Sequence, residues 1–191
     1  MNLAIFDIDG TLTESVAVDE VCFVQAFRDV LGIEQINTNW LEYNFQTDSG
    51  LALEICRNHL GRDPSGVEIS RLQSRFAQLL CAAVEAAGQP IREIAGAAAL
   101  LHWLGAHARW HVAIATGGWR ISARFKLASA GLPVDAFPWA SADDALDRVD
   151  ILRTAIQRAG QDYNQDAFEK VVYVGDGVWD EIGRASCRER V

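Results

Sequence analysis

The stretch Ala4-Ile5-Phe6-Asp7-Ile8-Asp9-Gly10-Thr11 decides the fold. A short apolar run that stops at an acidic, glycine-bearing loop reads as a buried parallel strand delivering its carboxyl end to that loop. Asp7 and Asp9 stand two residues apart, so they share one side of the chain as it leaves the strand, and Gly10 permits a tight turn after them. Two later stretches repeat the design. His111-Val-Ala-Ile-Ala-Thr116 is apolar and β-branched and ends at Gly117-Gly118, and Val171-Val-Tyr-Val174 enters Gly175-Asp176-Gly177-Val178-Trp179-Asp180.

Helical periodicity fills the space between these strands. Ala97 to Leu104, Ile121 to Ala130 and about Val149 to Ala159 read as helices, with a short strand near Phe137 to Ala140. Strand and helix in alternation predict an α/β protein, a parallel sheet with right-handed crossovers. Residues 14–90 break the alternation. Val18, Val21, Cys22, Phe23, Ala26, Phe27 and Val30 recur at helical spacing up to a Gly32 cap. A second helix runs from Thr47-Asp48-Ser49 to Leu60. After a turn at Pro64-Ser65-Gly66, a third carries Ile69, Leu72, Phe76, Leu79, Leu80 and Ala83 on one face. This helical block is inserted between the first strand and the rest of the sheet.

Composition sets outer limits. The chain has 191 residues, half of them hydrophobic and 23% charged, enough for one core with an insert and unlike a disordered segment. No apolar run approaches the roughly 20 residues that cross a bilayer, so no membrane partner is expected. Met1 is followed by neither a basic region nor a signal-type apolar stretch. Cys22, Cys56, Cys81 and Cys187 lack metal-type spacing, which predicts reduced thiols in a cytoplasmic protein. A net charge of −9 argues against nucleic acid as a partner, but a bound cation would let one pocket take a small anion. Lysine is scarce: Lys126 and Lys170 are the only two.

The end of the sequence reads differently. From Glu181 to Val191 there is no apolar period, and the stretch resembles the translation of a sequencing-adapter oligonucleotide. Residues 181–191 are therefore expected to be a non-native tail. The C-terminal part of the core is then expected to be missing, leaving the Val171–Val174 strand as an apolar edge prone to aggregation.

The chemistry collects at the strand ends, where open parallel sheets hold their ligands. Asp7, Asp9, Asp176 and Asp180 concentrate negative charge that calls for a cation, and an all-oxygen donor set favours Mg²⁺ over Zn²⁺. A carboxylate can attack phosphorus to give an aspartyl-phosphate, and a second one nearby can protonate the leaving alkoxide. Thr116 and the N–H groups of Gly117 and Gly118 suit phosphate oxygens.

Asp7-x-Asp9-Gly10-Thr11, a strand ending in Thr116, and Gly175-Asp176-Gly177-x-x-Asp180 together resemble the haloacid dehalogenase superfamily over nearly all of residues 1–180. The resemblance implies a three-layer Rossmann-like core formed by residues 1–13 and 91–180, with 14–90 as an inserted α-helical cap that chooses the substrate. It implies Asp7 as nucleophile, Asp9 as general acid and base, and Thr116 with Gly117 as phosphate-binding residues. Asp7, Asp9, Asp176 and Asp180 are the expected Mg²⁺ site. The family's basic residue maps to Arg148, in Asp143-Asp144-Ala-Leu-Asp147-Arg148. The activity so implied is a Mg²⁺-dependent phosphatase acting on a small phosphorylated metabolite.

Other readings stand beside this one. Dehalogenation is disfavoured because halide-displacing members do without the second acid and the metal. Phosphonate cleavage needs a cap lysine, and 14–90 contains none. A sugar-phosphate mutase shares the core, a phosphate-binding protein without turnover has no use for an attacking carboxylate, and a truncated, inactive fragment of such an enzyme is a further alternative. Arg120 either meets substrate or is a solvated helix-start residue. Thr47-Asp48-Ser49 either faces the site in a closed cap or is a plain helix cap. The tryptophans are assigned to core or hinge positions, and His102, His107 and His111 to structural or surface roles.

Overall fold

The strand β1 (Asn2–Phe6) runs through the middle of a parallel sheet flanked by β2 (Trp110–Ala115) on one side and β4 (Lys170–Val174) on the other. β3 (Trp139–Ala140) pairs with β2 and completes the order β3-β2-β1-β4. These features belong to a computed structural model that describes residues 1–133 and 135–177. The expected metal ligand Asp180 and the expected non-native tail 181–191 lie outside the described residues.

Burial on both sides makes β1 a central strand, and the two-residue period sorts its side chains. Ala4 and Phe6, with Ile8 and Leu12 beyond, pack under α4 (Ala97–Ala106) and α5 (Arg120–Ser129) against Leu101, Leu104, Ala123 and Leu127. Leu3 and Ile5 point the other way, against Ile151, Leu152, Ala155 and Ala159 of α6 (Arg148–Asp162). The result is helix, sheet, helix, the layered α/β core that the alternation predicts. Register then brings the reactive loops level. Phe6 lies opposite both Ile114 and Val174, so Asp7 and Gly175 follow at the same edge of the sheet, with Thr116 one residue further along β2.

Residues between β1 and α4 form α1 (Val16–Leu31), a short turn at Trp40–Glu42, α2 (Asp48–Leu60) and α3 (Gly66–Ala87). They enclose a separate apolar cluster built on Phe23, Phe27, Ile55, Leu72, Phe76 and Leu80. Burying side chains of this kind contributes roughly 1.5–3 kcal/mol each. One difference from the sequence reading concerns Pro64-Ser65-Gly66. Ser65 caps α3, accepting from the Glu68 N–H at 3.2 Å, while its own N–H donates to Glu68 at 2.8 Å. The apparent turn is thus a reciprocal capping box, and α3 begins directly at Gly66.

The thiols of Cys22, Cys56 and Cys81 are free. Among the described residues no helix is long and apolar enough to cross a membrane.

Candidate active site

Asp7 sits one residue past β1 and is 3% exposed. Its main-chain N–H donates to the Val174 carbonyl at 2.9 Å, which ties the first loop to the end of β4. Arg148, the first residue of α6, faces it. Its Nη1 lies 3.4 Å from Asp7 Oδ2 and 3.4 Å from the Tyr173 hydroxyl, and its Nε donates to the Gln46 carbonyl at 3.1 Å. The guanidinium lies against Gly117: a Cβ there would stand 2.5 Å from Nη2. Asp147 caps α6 through the Val149 N–H at 2.7 Å, and this cap aims Arg148 at the loop.

Gly10 has φ +74 and a second reason to be glycine. A Cβ there would lie 2.0 Å from Asp176 Oδ2, so the carboxylate of the β4 loop leans directly on the β1 loop. Thr116 is buried, and its Oγ accepts from the Gly118 N–H at 3.1 Å. That bond shapes the loop of three residues that closes the sheet edge.

Asp9 is held by groups that sequence reasoning passed over. Lys126 of α5 is completely buried, and its Nζ donates to both Asp9 oxygens at 2.7 Å. The same ammonium meets Asp19 of α1, and Ser15 Oγ donates to Asp9 Oδ1 at 2.5 Å. Burial works against the Lys126 charge, but Asp19 and Asp9 outweigh it and hold its pKa above the usual lysine value. Burial pushes Asp19 up to about 6, against the pull of Lys126.

The start of α2 roofs the site. Thr47 caps the helix and its hydroxyl donates to the Leu146 carbonyl at 2.7 Å. The Asp48 N–H donates to the Gly117 carbonyl at 2.8 Å, and Asp48 Oδ2 accepts from the Trp119 N–H at 2.8 Å. Ser49 Oγ donates to the Ala142 carbonyl and accepts from the Trp119 indole N–H, each at 2.8 Å or less. Thr47 is thus a helix cap, and the segment it opens is also hydrogen-bonded to the loops after β2 and β3. Burial pushes the Asp48 carboxyl well above the ordinary range, and the nearby Asp19 adds to the rise.

A hard cation suits the oxygen-only chemistry of these loops. The carboxylates of Asp7 and Asp176 reach the same sheet edge, and the close approach of Asp176 to Gly10 keeps it there. Among the described residues no three His, Cys, Asp or Glu side chains already form a metal-ligand group. Asp9 has both oxygens engaged by Lys126.

The structure thus gathers Asp7, Asp9, Thr116, Gly117, Arg148 and Asp176 at one edge. Arg120 stays outside: its N–H donates to Asp143 at 2.7 Å and its guanidinium reaches Asp144 at 3.4 Å, with the Trp139 ring 5.9 Å away. His111 stacks on Tyr163 at the far end of β2, with ring centroids 4.1 Å apart. Of the residues missed, Lys126 did leave a signal. It lies with Ala123 and Leu127 on the buried face of α5, where a lone lysine is out of place. Asp19 and Ser15 carried no such mark.

The sequence model of the haloacid dehalogenase-like hydrolases matches residues 1–187. No curated protein matches the chain by sequence. Among solved structures, a hydrolase from Pseudomonas syringae superposes with a TM-score of 0.71 at 23% identity, covering 98% of this chain and 82% of that one. CbbY from Rhodobacter sphaeroides in complex with phosphate gives 0.70 at 19% identity, covering 97% and 82%. A predicted phosphoglycolate phosphatase from Haemophilus somnus gives 0.59 at 18%, covering 97% and 81%. At these identities the likeness is one of fold.

Proposed function

The chain belongs to the haloacid dehalogenase-like hydrolases, and on that premise we propose a Mg²⁺-dependent phosphatase that cleaves a small phosphorylated metabolite through an aspartyl-phosphate on Asp7. The observation that carries this reading is the buried Asp7 carboxylate with the Arg148 guanidinium 3.4 Å from its Oδ2, at the edge where Thr116 also ends. A phosphate solved in CbbY, which shares the fold, supports the substrate class.

Arg148 binds a phosphoryl oxygen, and Thr116 with the N–H groups of its loop takes the others. An Asp7 oxygen attacks phosphorus in line, and the ester P–O bond breaks with its electrons on the leaving oxygen. Asp9 gives that oxygen a proton, then takes one from the water that attacks the aspartyl-phosphate. The Asp7–P bond breaks, and the Asp7 carboxylate and inorganic phosphate are released. Asp7, Asp9, Asp176 and Asp180 would hold Mg²⁺, which when bound would offset the charge of phosphate and nucleophile. Residues 14–90 act as the cap that selects the substrate, and the free thiols fit a cytoplasmic enzyme.

The test is phosphate release from 4-nitrophenyl phosphate, with Mg²⁺ and with a chelator, for the chain and for Asp7→Asn. Metal-dependent release that the variant loses is the expected result. Release unaffected by Asp7→Asn would overturn the reading, and phosphate moved between two sites of a sugar phosphate without release would assign a mutase instead.

A further inference from the structure

The geometry points to Lys126 as the positioning residue for Asp9 in the second half of the reaction, when water hydrolyses the aspartyl-phosphate. This inference rests on the phosphatase reading above, and concerns a residue that touches neither the nucleophile nor the phosphate-binding arginine.

Lys126 occupies the face of α5 that also buries Ser122, Ala123 and Leu127, and its side chain is 0% exposed. An ammonium in such a place is strongly disfavoured unless every proton finds an acceptor. Here the acceptors are the two oxygens of Asp9, both at 2.7 Å, and a carboxylate oxygen of Asp19. The Phe76 ring, 6.0 Å from Nζ, closes another side.

The clamp leaves Asp9 little freedom. Lys126 fixes the plane of its carboxylate, and Ser15 Oγ, itself 2.7 Å from Thr13 Oγ, fixes Oδ1 from another direction. The clamp also sits at the reacting loop. A Cβ on Gly118 would stand 3.5 Å from Thr116 Oγ and 3.7 Å from both Asp9 Oδ2 and Lys126 Nζ. Among the described residues, Arg148 stands beside Asp7 and Lys126 beside Asp9, one cation to each acid.

A proton acceptor held in this way serves the step in which water must be aligned and deprotonated while it attacks. The water O–P bond forms, the Asp7–P bond breaks with its electron pair returning to the carboxylate, and the water proton passes to an Asp9 oxygen. A positioning role predicts a defect confined to that step. An activated aryl ester needs little help from an acid in the first step, so its phosphoryl transfer to Asp7 should survive when the clamp is removed.

The experiment is rapid-mixing kinetics with 4-nitrophenyl phosphate on the chain, Lys126→Met and Asp19→Asn, with intact-protein mass spectrometry of quenched samples. Lys126→Met is expected to lower kcat by ~30-fold or more and kcat/KM by less than ~3-fold, on the scale of lost general-base catalysis. It should show a burst of one nitrophenolate per enzyme and accumulate protein heavier by one phosphoryl group. Asp19→Asn, which keeps the size of the side chain, should show the same pattern at about a third of the size or less. It keeps the test open should Lys126→Met fail to fold. Equal falls in kcat and kcat/KM with no burst would overturn the positioning role. A wild-type chain that turns over no ester would instead bring down the phosphatase reading, and this inference with it.

Discussion

The interior of the sheet and the seam beneath the helical block are both buried, yet they are held by different forces. Leu3 and Ile5 on one face, and Ala4 and Phe6 on the other, pack into apolar clusters with side chains of α4, α5 and α6. The seam instead buries Thr47, Asp48, Thr116 and Lys126. Apolar burial is non-directional and depends on area and fit. The seam depends on particular atoms at hydrogen-bond distance. The sheet therefore gives the site a stable edge, and the seam decides how the groups on that edge are oriented.

That contrast can be broken or sharpened by substitution. The largest effect is expected from Asp7→Asn, which should lower phosphate release by more than ~10³-fold while thermal unfolding stays near that of the parent chain. Trp119→Ala should follow. It empties a fully buried indole site and removes the bond to Ser49, so denaturant unfolding should show a loss of about 3–5 kcal/mol. In the sheet, Ile5→Val removes one methyl group and should cost about 0.5–1.5 kcal/mol with turnover unchanged. Should Ile5→Val harm turnover as much as Trp119→Ala, the distinction between edge and seam would be wrong.

The smallest effect has the opposite sign. Asp48→Asn keeps an acceptor for the Trp119 N–H and removes a charge that burial disfavours, so at pH 7 it should leave stability unchanged or raised by less than ~1 kcal/mol. The pH dependence follows from the same groups. Asp19, raised to about 6, and Asp48, raised well above its usual value, bind protons more tightly folded than unfolded. Their contribution to stability is fully present below the ordinary carboxylate range, near ~4, and is lost as pH rises through the folded values. Unfolding measured from pH 5 to pH 8 should show this fall, and Asp48→Asn should flatten it.

The strand-end loops were legible because each is local. Asp7 to Thr11, Thr116 to Gly118 and Gly175 to Gly177 are read within a few residues, and the β1–β2–β4 register places them side by side. The seam was not legible in the same way. Lys126 and Asp9 are 117 residues apart, and Lys126 and Asp19 are 107. Helical periodicity says that α1 has a buried face; it does not say that Asp19 will come to rest over α5. Asp48 was visible as part of a helix start that either faced the site or capped α2, but its reach to Trp119 depends on where that helix lands. The α3 boundary had a local mark in Ser65 and Glu68, hidden by the turn-like Pro64-Ser65-Gly66 around it.

Trp119 has a further consequence. It follows the loop that ends β2, but its ring lies inside the cluster of the helical block, 5.7 Å from Phe23 and 6.2 Å from Phe76. The block is therefore not a portable module. A substitute grafted between β1 and α4 would have to bring a socket for the indole and an acid for Lys126, or the catalytic edge would lose its shape. On the phosphatase reading proposed above, Trp119 would join substrate preference to the shape of the reacting edge, so that neither could change far without the other.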